Sequence, residues 1–162
     1  LYVRAKTMEA IDCQHRRVDE ALKAGGAAVG AKTVIETLPG MFPLACSPRL
    51  NDLFVENIKE YFPETKIEDA GHFTASTDMG DISHLMPSIH PFIGGVDGGL
   101  HTKDFCVTDF DAAAILPGKV FAMNIIDLLY DEAAMAKEIL EKEKPILTKE
   151  EYLAKLESYF QS

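Results

Sequence analysis

Apolar and polar residues alternate over residues 1–5 and again over 32–38, the second stretch rich in β-branched side chains, and both read as strands. Between them Ile11, Val18, Leu22 and Val29 fall on one face at helical spacing, while Arg16, Arg17, Asp19, Glu20 and Lys23 lie off it. Thr7 is placed to cap that helix, with Glu9 in its first turn at the positive end of the helix dipole. Residues 1–38 therefore read as β-α-β. Pro39-Gly40 and Pro43 interrupt the pattern, which sets a domain boundary over 39–47. Ser47-Pro48 starts a second helix, whose buried stripe is Leu50, Leu53, Phe54, Asn57, Ile58 and Tyr61.

Residues 64–108 lack a helical period and read as short strands joined by glycine loops, with Gly94-Gly95 and Gly98-Gly99 flanking Val96-Asp97. A helical pattern returns over 112–130, with Ile115, Met123, Ile126 and Leu129 as core positions and Pro117 near its first turn, and continues over 132–144. Thr148 and Glu151 have the spacing of a capping box for a last helix carrying Tyr152, Leu153, Leu156 and Phe160. The expected class is α/β.

Composition narrows the function. Apolar residues make up 47% of 162 residues, enough for a packed core. A net charge of −10 repels phosphate backbones and anionic lipid, so neither nucleic acid nor a membrane surface is expected as a partner. No apolar run approaches the roughly 18–20 residues of a membrane span. Cys13, Cys46 and Cys106 form no C-x-x-C pair, which favours a reduced, cytoplasmic setting with each thiol acting as a small apolar group.

Candidate chemistry concentrates in residues 76–109, which hold His84, His90, His101, Asp78, Asp81, Asp97, Asp104 and Asp109 around the glycines. Asp, His and Gly in loops are the materials of metal-assisted hydrolysis. His101 on a glycine turn suits a zinc ligand, and a loop histidine bonded to backbone is the competing reading. Asp78 and Asp81 can bind metal, orient a histidine or act as base, and can equally cap turns. His84 and His90 share a parity, but Pro87 argues against a regular strand between them. His72 and His15 are weaker candidates. Cys106 sits in an apolar run that favours a buried thiol over a nucleophile. Arg4 can anchor a substrate carboxylate or form a surface ion pair. The phosphate-cradle and dinucleotide glycine motifs are absent.

Three segments, in this order, carry a resemblance. Tyr2-Val3-Arg4-Ala5 with its following helix, the run Ser76-Thr77-Asp78-Met79-Gly80-Asp81-Ile82-Ser83-His84, and Leu100–Phe105 with Asp109 and the helix at Gly118 together resemble the di-zinc amidohydrolases of the aminoacylase and glutamate-carboxypeptidase superfamily. The middle run is similar to the aminobenzoyl-glutamate hydrolase branch of that superfamily. The resemblance implies that residues 1–39 are the second half of a small α/β lid, or dimerisation, domain. Residues 40–162 are then the C-terminal half of a mixed-sheet catalytic domain with terminal helices.

The activity implied is hydrolysis of an amide bond to an amino acid by metal-activated water. The substrate classes are an N-acyl amino acid, an aminobenzoyl-glutamate-like amide or a dipeptide. The intact enzyme is implied to hold two zinc ions and to be a homodimer. His101 is implied as a zinc ligand, Asp78 and His84 as neighbours of the site, and Arg4 as a lid residue facing the substrate carboxylate. No His-x-Asp motif occurs, and the Glu150-Glu151 pair lies in a terminal helix, so the general-base glutamate and most ligands are expected in an N-terminal portion outside this sequence. The opening Leu1-Tyr2-Val3-Arg4, without an initiator Met, fits that expectation, and the isolated chain is expected to be inactive. The rival reading is a non-catalytic domain that dimerises or binds small acids. A third is a self-contained metal site of Asp78, His84, His90 and His101.

Overall fold

Capping chemistry sets the helix starts. The computed structural model describes residues 1–69, 71 and 75–161. Helix α1 spans Met8–Ala28, and the Thr7 side chain accepts a hydrogen bond from the Ala10 N–H at 3.2 Å. Helix α2 spans Pro48–Tyr61, capped by Ser47 with Pro48 in its first turn, and buries Leu53, Phe54, Asn57 and Ile58. Helix α3 covers Met79–Leu85. Strands β1 (Val96–Asp97) and β2 (Cys106–Val107) pair antiparallel, with Val96 opposite Val107 and Asp97 opposite Cys106. A π-helical turn at Asp111–Ile115 leads into α4, Leu116–Lys142. Helix α5, Lys149–Ser158, begins with the full capping box of Thr148 and Glu151.

The contacts divide the chain into two units. One comprises Leu1–Ala45, Asp69–Met86 and Pro145–Ser162, and the other Cys46–Glu68 and Pro87–Lys144. The first unit is organised around Phe42. The Phe42 N–H donates to Asp81 Oδ1 at 3.3 Å, and the Ala45 N–H donates to Ser83 Oγ at 3.0 Å. The Phe42 ring meets His84 and Tyr152 edge-on, at centroid distances of 5.2 and 5.3 Å. This approach requires Gly80, because a Cβ there would lie 1.9 Å from the Phe42 carbonyl oxygen.

The second unit packs α2 against α4. Phe54, Ile58 and Val120 form its core, with Ile89, Ile93 and Leu116 against them. A buried amide joins the two helices: Asn57 Nδ2 donates to Asn124 Oδ1 at 2.8 Å and to Asp127 Oδ2 at 2.7 Å. These bonds meet the requirement that a buried polar group be paired.

Several expectations change. Residues 1–5 and 32–38 flank α1 as predicted but enter no ladder among the described residues. A strand exists only as one member of a hydrogen-bonded pair, and these two segments do not pair with each other. Leu22 and Val29 are exposed, and α1 has no fully buried residue. Residues 79–85, placed among short strands, are helical. In α4 the buried positions are Pro117, Val120, Asn124 and Ile139, whereas Ile115, Ile126 and Leu129 are exposed. A helix apolar on most sides gives periodicity nothing to choose a face by, and the Asn57 bonds select the one that carries Asn124.

Helix α4 also departs from the expectation about apolar length. The helical run Asp111–Lys142 contains an 18-residue window of mean hydropathy 1.6, so by length and composition it could cross a membrane. It is interrupted at Tyr130–Ala133, where Asp131, Glu132 and Ala133 take φ values of 49°, 56° and 62°. Cys106, expected to be buried, is exposed, as is Cys13.

Gly80→Ala lowers stability by at least ~2 kcal/mol, because the new methyl must displace main chain rather than a side-chain tip. Gly118→Ala, where a Cβ meets nothing within 4 Å, raises it by up to ~1 kcal/mol through helix propensity. Urea unfolding midpoints of the two variants compare them directly, and equal midpoints would remove the claim that Gly80 is needed for close approach.

Candidate functional site

The loop that presents His101 is built from main-chain bonds. Gly95 has φ 82°, and its carbonyl oxygen accepts from the N–H groups of Thr108 at 2.9 Å and Asp109 at 3.1 Å, closing the base of the β1–β2 hairpin. At Gly98, also at φ 82°, a Cβ would lie 2.4 Å from the Asp104 carbonyl oxygen. The Gly98 N–H donates to Asp97 Oδ1 at 2.7 Å. Thr102 donates to the Gly99 carbonyl through both its N–H, at 3.1 Å, and its hydroxyl, at 2.8 Å. Asp109 Oδ1 accepts from the Ala112 N–H at 3.0 Å, tying the end of the hairpin to the helix that follows. His101 sits at the tip with φ 61°, a left-handed backbone that a non-glycine residue adopts at a cost. Its side chain is exposed, with no hydrogen bond among the described residues. A neutral imidazole held this way is open to a ligand or metal from outside the loop.

The other histidines are differently placed. His84 is buried, and its Nδ1 lies 2.9 Å from the Gly80 carbonyl oxygen. A carbonyl only accepts, so Nδ1 carries the hydrogen. The His84 carbonyl oxygen accepts from the Leu147 N–H at 3.0 Å. These bonds make His84 part of the packing of the first unit. His90 stacks at 5.8 Å on Phe92, and its Nδ1 is buried without a partner. His15 faces Asp19 one turn along α1, at 3.4 Å. His72 lies outside the described residues.

Among the carboxylates, Asp78 is exposed at the start of α3 and makes no side-chain cap bond; the Thr77 hydroxyl donates to its Oδ1 at 3.3 Å. Asp81 receives the Phe42 N–H, and burial together with the Asp81 carboxylate pushes the Tyr152 hydroxyl above its ordinary range. Arg4 is exposed, its guanidinium 5.1 Å from the Tyr2 ring centroid. Asp78, His84 and Arg4 belong to the first unit, His90 and His101 to the second. Among the described residues no three His, Cys, Asp or Glu side chains converge as a metal site needs.

One polar cluster was invisible to motif reading. Lys155 Nζ and the Tyr159 hydroxyl both donate to Asp12, at 2.5 Å to Oδ2 and 2.8 Å to Oδ1, joining residues more than 140 positions apart. Burial works against the Asp12 charge, but the bonds from Lys155 and Tyr159 outweigh it and hold the carboxyl below its ordinary value. Burial and the same Asp12 contact push the Tyr159 phenol upward. Beside this cluster lies a groove of about 700 Å³, with Met8, Phe42, Leu147 and Ala154 as its apolar lining. Spacing along one segment could not have found the cluster, since its members come from opposite ends of the chain.

Comparison with known proteins finds similarity to the Xaa-Arg dipeptidase of Mus musculus, 28% identical over 142 residues. The match covers 83% of this chain and 33% of that protein, so the chain spans about a third of the length of the curated relative it matches. No protein-family model matches, and no solved structure matches. The likeness supports the coarse family that the resemblance implied, the metallopeptidases of the amidohydrolase kind, and carries no information on the aminobenzoyl-glutamate branch.

Asp12→Asn lowers stability by about 1 kcal/mol near neutral pH, the worth of a partly buried charged hydrogen bond. The Asp12 carboxyl is held below its unfolded value of 3.8, so its contribution is present above that pH and lost as pH falls further. The Tyr159 contribution is present below pH 10.0 and lost as pH rises beyond it. Unfolding free energies of wild type and Asp12→Asn measured from pH 2 to pH 7 should converge at the acid end. A constant gap across that range would show that Asp12 does not titrate in this contact.

Proposed function

We propose that this chain forms the C-terminal part of a metal-dependent amidohydrolase that cleaves an amide bond to an amino acid. The observation that carries the reading is the similarity to a dipeptidase across 83% of the chain. It is joined by the three motif segments in register and by an exposed imidazole on a backbone-fixed loop. His101 is the residue this chain contributes to the zinc centre. The remaining ligands and the general-base glutamate come from the rest of the polypeptide. His84 positions α3 rather than meeting substrate, and Asp78 and Arg4 are the exposed polar groups of the first unit that meet it. Substrates are dipeptides, among which a C-terminal arginine is the first to assay given the relative's name, N-acyl amino acids or aminobenzoyl-glutamate-like amides. The working form is a cytoplasmic homodimer.

The test uses the intact native polypeptide and its His101→Ala variant. The intact protein is expected to release amino acid from at least one of these amide classes and to lose that activity on chelation. His101→Ala lowers kcat/KM at least ~100-fold and reduces bound zinc, on the scale of lost ligand-sphere interactions. The 162-residue chain alone is expected to show no hydrolysis. Full activity and full zinc content in His101→Ala would remove His101 from the site, and an intact protein inert toward all three classes would remove the enzymatic reading.

A further inference from the structure

The groove of the first unit has two charged groups whose partners are not supplied by the fold. Of its basic and acidic rim, Lys155 is held by Asp12, and Glu151 is held by the Thr148 cap. Arg16 uses only Nε, which donates to the Asp12 carbonyl at 3.3 Å, leaving its terminal nitrogens available. Glu9 makes no hydrogen bond or ion pair among the described residues. Glu9 and Arg16 both line the groove on α1. Seven positions apart, they share a helix face and stand about 10 Å apart along its axis. Met8, Phe42, Leu147 and Ala154 also line the groove, and Asp12, which lies between the two on α1, is paired with Lys155.

We propose that this groove binds a short zwitterionic peptide of tripeptide length, its ammonium at Glu9 and its carboxylate at Arg16, with apolar side chains against Met8, Phe42 and Leu147. The length follows from the spacing, since three extended residues span about 10 Å. The volume of about 700 Å³ lies within the range of small-ligand sites. The planar fork of Arg16 suits a terminal carboxylate. A dipeptide spans only about 7 Å and is expected to bind more weakly, and a peptide blocked at both termini offers neither charge. The groove includes no residue of the His101 loop, and its occupancy does not depend on hydrolytic activity.

The experiment is methyl NMR on the intact native polypeptide, treated with chelator and labelled at its methionine methyls, with the Met8 signal assigned through Met8→Leu. Trileucine is expected to shift the Met8 methyl saturably while leaving Met123, in the second unit, unmoved. N-acetyl-trileucine amide and dileucine are expected to bind at least 10-fold more weakly. Arg16→Ala and Glu9→Gln, both at exposed positions whose folding the same spectra report, are each expected to weaken trileucine at least 5-fold. A Met8 signal that does not move overturns the proposal. So does equal binding of the blocked peptide or of dileucine, which would make the groove an unselective apolar surface, and so does unchanged affinity in both variants.

Discussion

Main chain can lie against main chain only where no side chain intervenes, and that constraint organises each unit of this protein. At Gly80 it lets residues 41–45 run along α3 close enough for Asp81 and Ser83 to receive the Phe42 and Ala45 N–H groups. Phe42 then becomes the point at which His84 and Tyr152 meet. At Gly98 the same constraint folds the hairpin tip back on Asp104 and leaves His101 at its outer edge. The two glycines have opposite consequences for chemistry. One commits a histidine to packing, and the other leaves a histidine free of it.

That difference separates two residues of one type that stood close together as candidates. The hydrogen on His84 Nδ1 is engaged by a carbonyl one turn back, its ring is edge-on to an aromatic, and its own carbonyl holds the start of the C-terminal segment. Removing it would expose polar groups that nothing else satisfies. His101 costs the loop a left-handed backbone, and its exposed side chain makes no hydrogen bond among the described residues. A strained residue that stabilises nothing around it is more readily explained by function than by packing.

What could be read in the sequence was local. Thr7, Ser47-Pro48 and the Thr148/Glu151 pair announced their helices because a cap is written within four residues. The centre of the α2 stripe, Leu53, Phe54, Asn57 and Ile58, was legible because its opposite face is charged, whereas Tyr61 at the helix end is exposed. The buried face of α4 was not, because its partner is an amide on another helix and its own surface is apolar on most sides. Residues 79–85 read as strand because a seven-residue helix has too few turns to show a period. The Asp12–Lys155–Tyr159 cluster was beyond any local pattern. Of the proposed metal chemistry the sequence offered one loop histidine, since a ligand set is a property of convergence and the described residues bring no three donors together.

The uncovered apolar surface bears on the same question. Val34 is 82% exposed and Leu38 69%, in the extended segment that found no strand partner. In the second unit Ile125, Ile126, Leu129 and Tyr130 lie in succession along α4, each more than half exposed. Scattered exposed apolar residues need no explanation, but runs of them mark surfaces that pack against something. A monomeric binding domain would have to leave both runs in water at a cost in solubility. In the proposed larger enzyme each run becomes interior, the extended segment as a strand in a completed sheet and the bare α4 face beneath a covering element of its own. The same completion would bring further ligands to His101, so the unpaired strand, the bare helix face and the solitary histidine have one explanation rather than three.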